Sequence, residues 1–260
     1  MSEKLDFIIM GASGVVGSSI VKELESMKYK VLCLTSENFK ECCSKQLKTR
    51  YFVNANGNSY RFKANNDPFW DFEKSFLSLV KSLNYFQSDK YIFFSSIDVY
   101  SDKNNLDKNK EDSHIDINLL DYYAFHKLLA EKFLLKYHNN WLILRLGTVV
   151  SKLSRKGPFF DLKNNKLYLN RDSTLSVIDT ENMLIAFFEL IKLNKFNEIY
   201  NLTGTGNVEL NSVIDKFNIS INSNESSNKI PIYYNISNVK LKEIIDVPSS
   251  KDIVEQYFKI

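Results

Sequence analysis

The chain has 260 residues, 44% of them hydrophobic and 13% aromatic, enough to bury a full core in one large domain or in one domain with a small appendage. A net charge of +3 is too small to form a nucleic-acid-binding stripe without clustering, and no run of about 20 apolar residues could span a membrane. The cysteines, Cys33, Cys42 and Cys43, are odd in number and two are adjacent, which argues against a disulfide framework or a spaced metal motif and fits a reducing cytoplasm.

Taken in chain order, short apolar runs alternate with helical periods. DFIIMGA (6–12), YKVLCLTS (29–36), TRYFVNA (49–55), KYIFFSS (90–96) and NWLILRLG (140–147) read as strands. GVVGSSIVKELESM (14–27), DPFWDFEKSFLSLVKSL (67–83) and LLDYYAFHKLLAEKFL (119–134) read as helices between them. Repeated strand and helix predict an α/β fold, a doubly wound parallel sheet covered on both faces. The first apolar run, FIIM, is flanked closely by Lys4 and Asp6, so no signal peptide is expected. From residue 151 the texture changes: 151–176 is turn-rich, a helix is expected at about 180–193, NEIYNLTG (197–204) reads as a strand, INSNESSNK (221–229) as a polar loop and SSKDIVEQYF (249–258) as a last helix. The expected organisation is 1–150 as a nucleotide-binding domain and 151–260 as a small C-terminal substrate-binding lobe on the carboxyl edge of the sheet, where open α/β sheets place their ligands.

The first strand runs into GASGVVG, with Gly11, Gly14 and Gly17. Glycines there permit a tight turn, let backbone amides approach a pyrophosphate and let the next helix pack closely, so the anion meets a helix N-terminus. A lone glycine loop is a weak signal, but the chain spends three of its eight glycines here, between a strand and an amphipathic helix. The expected contacts are Gly11, Ser13, Gly14, Val15, Val16 and Gly17.

The pair Tyr122 and Tyr123, followed by His126 and Lys127, poses a choice that helical spacing resolves. Residues four apart share a face, so Tyr123 pairs with Lys127 and Tyr122 with His126. A phenol beside an ammonium has its pKa lowered and can trade a proton near neutrality. The alternative is a packed helix on which Tyr123 borders the core and Lys127 is a solvated charge.

GxxGxxG upstream, Tyr123-x-x-x-Lys127 downstream and YIFFSSIDVY between them resemble the extended short-chain dehydrogenase/reductases, and more narrowly the NAD-dependent epimerase/dehydratase proteins that act on nucleotide sugars. WLILRLGTVV is similar to that branch's next strand, which carries Leu-Arg. The resemblance implies a Rossmann-like fold and assigns Ser96, Tyr123 and Lys127 as the catalytic residues. It implies that the lysine holds the nicotinamide ribose and lowers the tyrosine's pKa, the tyrosine exchanges a proton with the substrate oxygen, and the serine hydroxyl bonds that same oxygen.

Several departures shape the reading. The second strand ends in Thr35 and Ser36, small hydroxyls that leave room for a 2′-phosphate within reach of Lys40; NADP is therefore the expected cofactor, with NAD possible through Glu37. Only about fifteen residues separate that strand from YFVNANG, so one strand and its helix are expected to be trimmed. Asn54, Ala55 and Asn56, with Gly57, are placed to contact the cofactor, a plain polar turn being the equal alternative. Ile97 and Asp98 follow Ser96 where sugar dehydratases carry Asp-Glu, which turns the expectation from dehydration to keto-reduction or epimerisation. His114, His126 and His138 have no ligand partners at metal spacing, and Trp70 reads as a packed aromatic. Lys152, Arg155, Lys156 and Arg171 suit a nucleotide-sugar diphosphate, with a solvated basic loop as the alternative. TLSVIDTEN lacks the family's usual arginine before its valine-x-aspartate.

The function expected is an NAD(P)-dependent oxidoreductase of a nucleotide-linked sugar, a 4-keto-sugar reductase, and the resemblance alone implies a place in surface-polysaccharide synthesis. The alternatives are an epimerase that retains NAD and a dinucleotide-binding regulatory protein without turnover. The expected partner is the small-molecule substrate, with no nucleic acid and no membrane, and a homodimer through the helix of Tyr123 is left open.

Overall fold

The computed structural model describes residues 5–58, 61–222 and 229–259, so most of the INSNESSNK loop lies outside the described residues. The chain divides into two compact units, the first made of 1–101, 115–145 and 191–199, the second of 102–114, 146–190 and 200–260.

The first unit alternates as the sequence does. Strand β1 (Leu5–Met10) leads to α1 (Val15–Ser26), β2 (Val31–Leu34), the short α2 (Phe39–Cys43) and β3 (Lys48–Asn54). Next come α3 (Arg61–Asn66), α4 (Pro68–Asp71), a π-helical segment (Phe72–Leu77) and α5 (Ser78–Tyr85), so the helix expected over 67–83 forms with one wide turn in its middle. Asp67 starts α4 by accepting from the Trp70 amide, and the proline at N1 costs no helical hydrogen bond. Trp70 is half-buried, with the Lys63 ammonium 3.9 Å from its ring centre. Strand β4 (Gln87–Ser96), α6 (Tyr122–Tyr137) and β5 (Trp141–Leu146) complete the alternation.

The six-stranded sheet has the order β2-β1-β3-β4-β5-β9, where β9 is Glu198–Leu202. Strand β1 pairs in parallel with β2 and β3, and β3 in parallel with β4. A doubly wound sheet of order 3-2-1-4-5-6 carries a strand outside its second one. Here five-residue α2 leads straight back to β3 on the far side of β1, leaving β2 at the edge, which is the trimming the sequence leads one to expect. Met10 is in register with both Leu34 and Asn54, so Gly11, Thr35 and Ala55 follow at one carboxyl edge.

Burial explains the strands. Ile8, Met10, Leu34, Phe52, Tyr91, Phe93 and Ile143 form one face and pack with Leu79 of α5, with Phe86 just after it and with Ala130 and Leu134 of α6. The alternate positions Phe7, Ile9, Val53, Ile92, Leu142 and Leu144 are buried as well, so the sheet is covered on both sides as its near-continuous apolar strands require. Helix α1 buries Gly17, Ile20 and Leu24, one stripe spaced three and four residues apart.

In the second unit β6 (Thr148–Val150) pairs in parallel with β8 (Val177–Asp179), and β7 (Thr174–Leu175) pairs antiparallel with β10 (Val208–Glu209). Its helices are α7 (Pro158–Lys163), most of α8 (Thr180–Lys192), α9 (Leu210–Lys216), α10 (Val239–Lys242) and α11 (Ser250–Lys259). Segment 102–114 is stitched in by Asn109, whose side chain donates to the Asn235 carbonyl at 2.8 Å while its own carbonyl accepts from Asn201 at 3.0 Å. The expected helices at 180–193 and 249–258 are α8 and α11, whereas the turn-rich 151–176 hides α7 and β7. No helix among the described residues is long and apolar enough to cross a membrane.

Candidate active site

The glycine loop makes three different demands. Gly11 has φ of +82°, and a Cβ there would come within 2.8 Å of the Ala55 backbone; at Gly17 a Cβ would come within 2.2 Å of the Gly11 oxygen. Those two positions are glycine because the loop, β3 and α1 meet there. A Cβ at Gly14 would meet only the Gly11 oxygen, at 3.4 Å, and the backbone there is extended. Protein packing alone tolerates a side chain at 14. Gly14 is also the N-cap of α1, with no side-chain cap and no acidic residue in the first turn, and Ser13 and Gly14 are exposed. The first α1 amides therefore face outward with the positive end of the helix dipole.

Strand β4 delivers Ser96. Its hydroxyl donates to the Asp98 carboxylate at 3.1 Å and accepts the Asp98 amide at 3.1 Å, capping the 3₁₀ turn Ile97–Val99. Helix α6 delivers Tyr123. It begins where Asp121 accepts from the Ala124 amide at 2.9 Å, and the Tyr123 hydroxyl is hydrogen-bonded to Ser96. Tyr122 is 51% exposed and its ring centre stands 6.3 Å from that of His126, the neighbour that helical spacing predicts for it.

Lys127 is buried, which overturns the reading of it as a solvated charge. Its Nζ donates to the Phe94 carbonyl at 3.0 Å and rests 4.8 Å above the Phe93 ring. A Cβ on Gly57 would come within 2.9 Å of that nitrogen, so the turn after β3 is glycine partly to admit the lysine.

The expected electrostatics need correction. Tyr123 is half-buried as a residue, but its hydroxyl end is enclosed, and burial pushes the phenol well above its ordinary range. Asp98 pushes the same way and Asp71 adds to it, against the Ser96 hydrogen bond and Arg61. The Lys127 ammonium is directed to the Phe94 carbonyl. Burial brings Lys127 itself down from 10.5 to about 8, with Asp71 and Glu131 pulling it back up.

Two buried networks support the site, and sequence reading missed both. Arg145 forks onto Glu131 at 3.1 and 2.8 Å and donates to the Tyr100 hydroxyl at 2.8 Å, while Ser95 donates to Glu131. The Ser95 and Tyr100 of YIFFSSIDVY and the arginine of WLILRLG thus tie β4, α6 and β5 together. Asp71, fully buried on α4, holds the His126 ring at 2.7 Å and the Ser75 hydroxyl at 3.0 Å. The signal available was only the four-residue step from Lys127 to Glu131. Arg61 was also missed: it pairs with Asp98 at 2.8 Å and with Asp121 at 3.3 Å.

The remaining expected residues divide. Ser36 and Glu37 are exposed at the tip of β2, and the Thr35 amide donates to the Asn38 side chain at 2.8 Å. Asn54 is buried, donating to the Tyr91 hydroxyl at 3.0 Å and accepting the Asn56 amide at 3.0 Å; Asn56 donates to Ser78 at 3.1 Å. Those side chains build the turn, and it is the Ala55 and Asn56 backbone that flanks Gly11. In the second unit Lys152, Arg155 and Lys156 are exposed in the loop before α7, whereas Arg171 is held at α9 by Asn211 at 3.1 Å and Asp215 at 3.4 Å.

A parallel sheet ending in a glycine turn under a helix N-terminus, with a serine, a tyrosine and a buried lysine gathered at the end of the fourth strand and on the helix that follows, defines a dinucleotide-dependent enzyme class. The chain belongs to the NAD dependent epimerase/dehydratase family, whose family model matches residues 7–171, more than half of the 260. No curated protein matches the sequence. Among solved structures, it is similar to dTDP-4-dehydrorhamnose reductase from Bacillus anthracis in complex with NADP, at 15% identity and a TM-score of 0.78 over 99% of each chain. UDP-glucose 4-epimerase from Thermotoga maritima with UDP-glucose is 15% identical with a TM-score of 0.70, over 98% of this chain and 99% of that one. MoeE5 in complex with UDP-glucose and NAD is 14% identical with a TM-score of 0.81, over 97% and 96%. At these identities the likeness speaks for the fold, and the expected Rossmann-like sheet and family are both met.

Proposed function

We propose that the chain is an NAD(P)-dependent reductase of a nucleotide-linked 4-keto sugar, with NADP as its dinucleotide and NAD the alternative. The observation behind the choice of reduction is the tip of β2, where the small hydroxyls of Thr35 and Ser36 leave room for the 2′-phosphate of NADPH; the Tyr123 phenol, pushed up by burial and Asp98, bears the proton a reductase must give. An epimerase would first need the same group as a base.

The residues present fit a dinucleotide. Gly14 leaves open backbone at the start of α1 where packing alone would accept a side chain. Gly11 to Gly17 would hold the pyrophosphate, Thr35 and Ser36 the adenosine ribose, the Ala55 and Asn56 backbone the near side, and Lys127 the nicotinamide ribose. When bound, the nicotinamide supplies the hydride. Tyr123 gives its proton to the substrate oxygen. Lys127 stays charged below about pH 8 and so serves as donor and cation together. Lys152, Arg155 and Lys156 would meet the diphosphate; Arg171 is already engaged with Asp215 and is the weakest of the four.

The test is incubation with a panel of nucleotide-linked 4-keto sugars and NADPH, following dinucleotide absorbance. One NADPH consumed per alcohol formed is the expected result. Isomerisation of a nucleotide sugar with no net change in added cofactor, and NAD tightly bound, would replace the reductase with an epimerase.

A further inference from the structure

We propose that the Asn38 side chain stands in for the strand missing beside β2 and is thereby a positioning residue for the adenosine 2′-phosphate, the group that distinguishes NADPH from NADH. Strand β2 lies at the edge of the sheet, with β1 on one side only. Its Leu34 carbonyl turns toward β1 and accepts from the Gly11 amide at 3.1 Å. Alternation along a strand therefore turns the Cys33 carbonyl and the Thr35 amide outward, to the open edge. A further parallel strand would meet these two groups with one amide and one carbonyl. The Asn38 side chain does so instead: its Nδ2 donates to the Cys33 carbonyl at 2.8 Å and its Oδ1 accepts from the Thr35 amide at 2.8 Å. A carbonyl can only accept and an N–H can only donate, so the Asn38 amide has one orientation here.

The choice of residue is narrow. An aspartate at 38 would set a second oxygen against the Cys33 carbonyl, and a serine has one oxygen for two partners 2 residues apart in the strand. The backbone completes the clamp: the Thr35 carbonyl accepts from the Phe39 amide at 3.0 Å, and the Asn38 carbonyl from the Cys42 amide at 2.9 Å. The loop that follows β2 is thus tied at Thr35 and at Asn38, with Ser36 and Glu37 exposed between the ties and Lys40 exposed just beyond. Given the NADP reading, this loop meets the 2′-phosphate with the Ser36 hydroxyl and the Lys40 ammonium. A loop held in place before the ligand arrives loses less freedom on binding, so the clamp favours the dinucleotide that uses the loop most. NADH has no phosphate there and gains less from the clamp.

The 2′-phosphate role rests on the NADP reading and the edge contact does not, and two measurements separate them. Amide hydrogen exchange, followed by NMR on the full chain without dinucleotide, tests the contact. In the wild type the Thr35 amide should exchange about 100-fold or more slowly than in a free chain, and in Asn38→Ala that protection should fall about tenfold or more while the β1 amides keep theirs. A Thr35 amide unprotected in the wild type, or equally protected in the variant, would overturn the edge contact. Fluorescence titration then gives Kd for NADPH and NADH. Asn38→Ala should bind NADPH about tenfold or more weakly and NADH within about threefold of wild type. Ser36→Ala should also weaken NADPH but leave Thr35 protected, and the double variant should bind NADPH about as well as the weaker single variant. Unchanged NADPH affinity in Asn38→Ala, equal losses for both dinucleotides, or losses that multiply in the double variant would overturn the positioning role. A wild type that binds NADH and not NADPH would sink the NADP reading and the 2′-phosphate role with it, and the exchange result would still decide whether Asn38 closes the edge of β2.

Discussion

A Cβ on residue 17 would stand 2.2 Å from the carbonyl oxygen of Gly11, whereas a Cβ on residue 14 would stand 3.4 Å from that same oxygen and meet nothing else within 4 Å. The three loop glycines are therefore separable by experiment. Gly17→Ala forces backbone apart and should cost roughly 1–3 kcal/mol or more of stability. Gly14→Val should melt within a few degrees of wild type yet bind NADPH at least about 100-fold more weakly, because its side chain projects where phosphate would approach the α1 amides. Thermal melts and a fluorescence titration of both variants check this; a Gly14→Val protein with full affinity would remove the basis for the cofactor site.

Tyr123→Phe keeps the ring and removes the proton. Turnover should drop about 10² to 10⁴-fold with NADPH affinity retained. Tyr122→Phe, altering a ring that is half exposed, should change turnover less than about twofold. Steady-state kinetics on the pair decide between them, and the reverse ranking would show that α6 presents its other face to the substrate.

Lys127 trades stability for function. Its folded pKa of about 8 lies below the ordinary 10.5, so between those values the unfolded chain binds more protons and stability rises with pH. The cost of burying the ammonium is fully present below about pH 8 and gone above 10.5; it is on the order of 3 kcal/mol. Lys127→Met retains the stem's volume, so at pH 7 it should raise Tm by several degrees while abolishing turnover, and the gain should fade toward pH 10. A lower Tm at pH 7 would mean the ammonium is better solvated than its burial implies.

The Glu131 and Arg145 pair is almost wholly buried, with side chains 1% and 2% exposed. Glu131→Gln leaves a guanidinium without its countercharge and should cost about 3–5 kcal/mol. Differential scanning calorimetry should show Tm lower by roughly 6–20 °C. A shift under about 2 °C would contradict the view that this pair fastens α6 to β5.

Lys152, Arg155 and Lys156 should raise KM for the nucleotide sugar when replaced singly by alanine, with less effect as salt rises, whereas Arg171→Ala should change it least because Asp215 already holds that side chain. KM measured at low and high salt separates them; no change in any of the first three would make the loop solvated surface.

The sequence carried the regular part of the fold because each strand is a short apolar run bounded by turn residues, and each major helix has its own period. The glycine turn and the face of α6 bearing Tyr123 were legible for the same local reason. What stayed hidden depends on contacts distant in sequence. Asp98 reads as one residue of a motif until Arg61 is found beside it, 2.8 Å away but in a different helix. Tyr100 and Arg145 were recognisable as motif residues, yet their joint attachment, Arg145 also gripping Glu131, exists only once β4, α6 and β5 are side by side. The direction of the Tyr123 shift was misjudged for a related reason: helical spacing fixes where two side chains begin, and the Phe94 carbonyl and Gly57 decide where the lysine ends.

The most direct test of the central claim follows the hydride itself. NADPH carrying deuterium at the transferable position of the nicotinamide C4 is supplied with the nucleotide-linked 4-keto sugar, and the product is examined by mass spectrometry and NMR. The account expects one deuterium at the new carbinol carbon per NADP formed, and loss of that transfer in Tyr123→Phe. Product that forms at the wild-type rate without deuterium, leaving the added NADPH unoxidised, would contradict it.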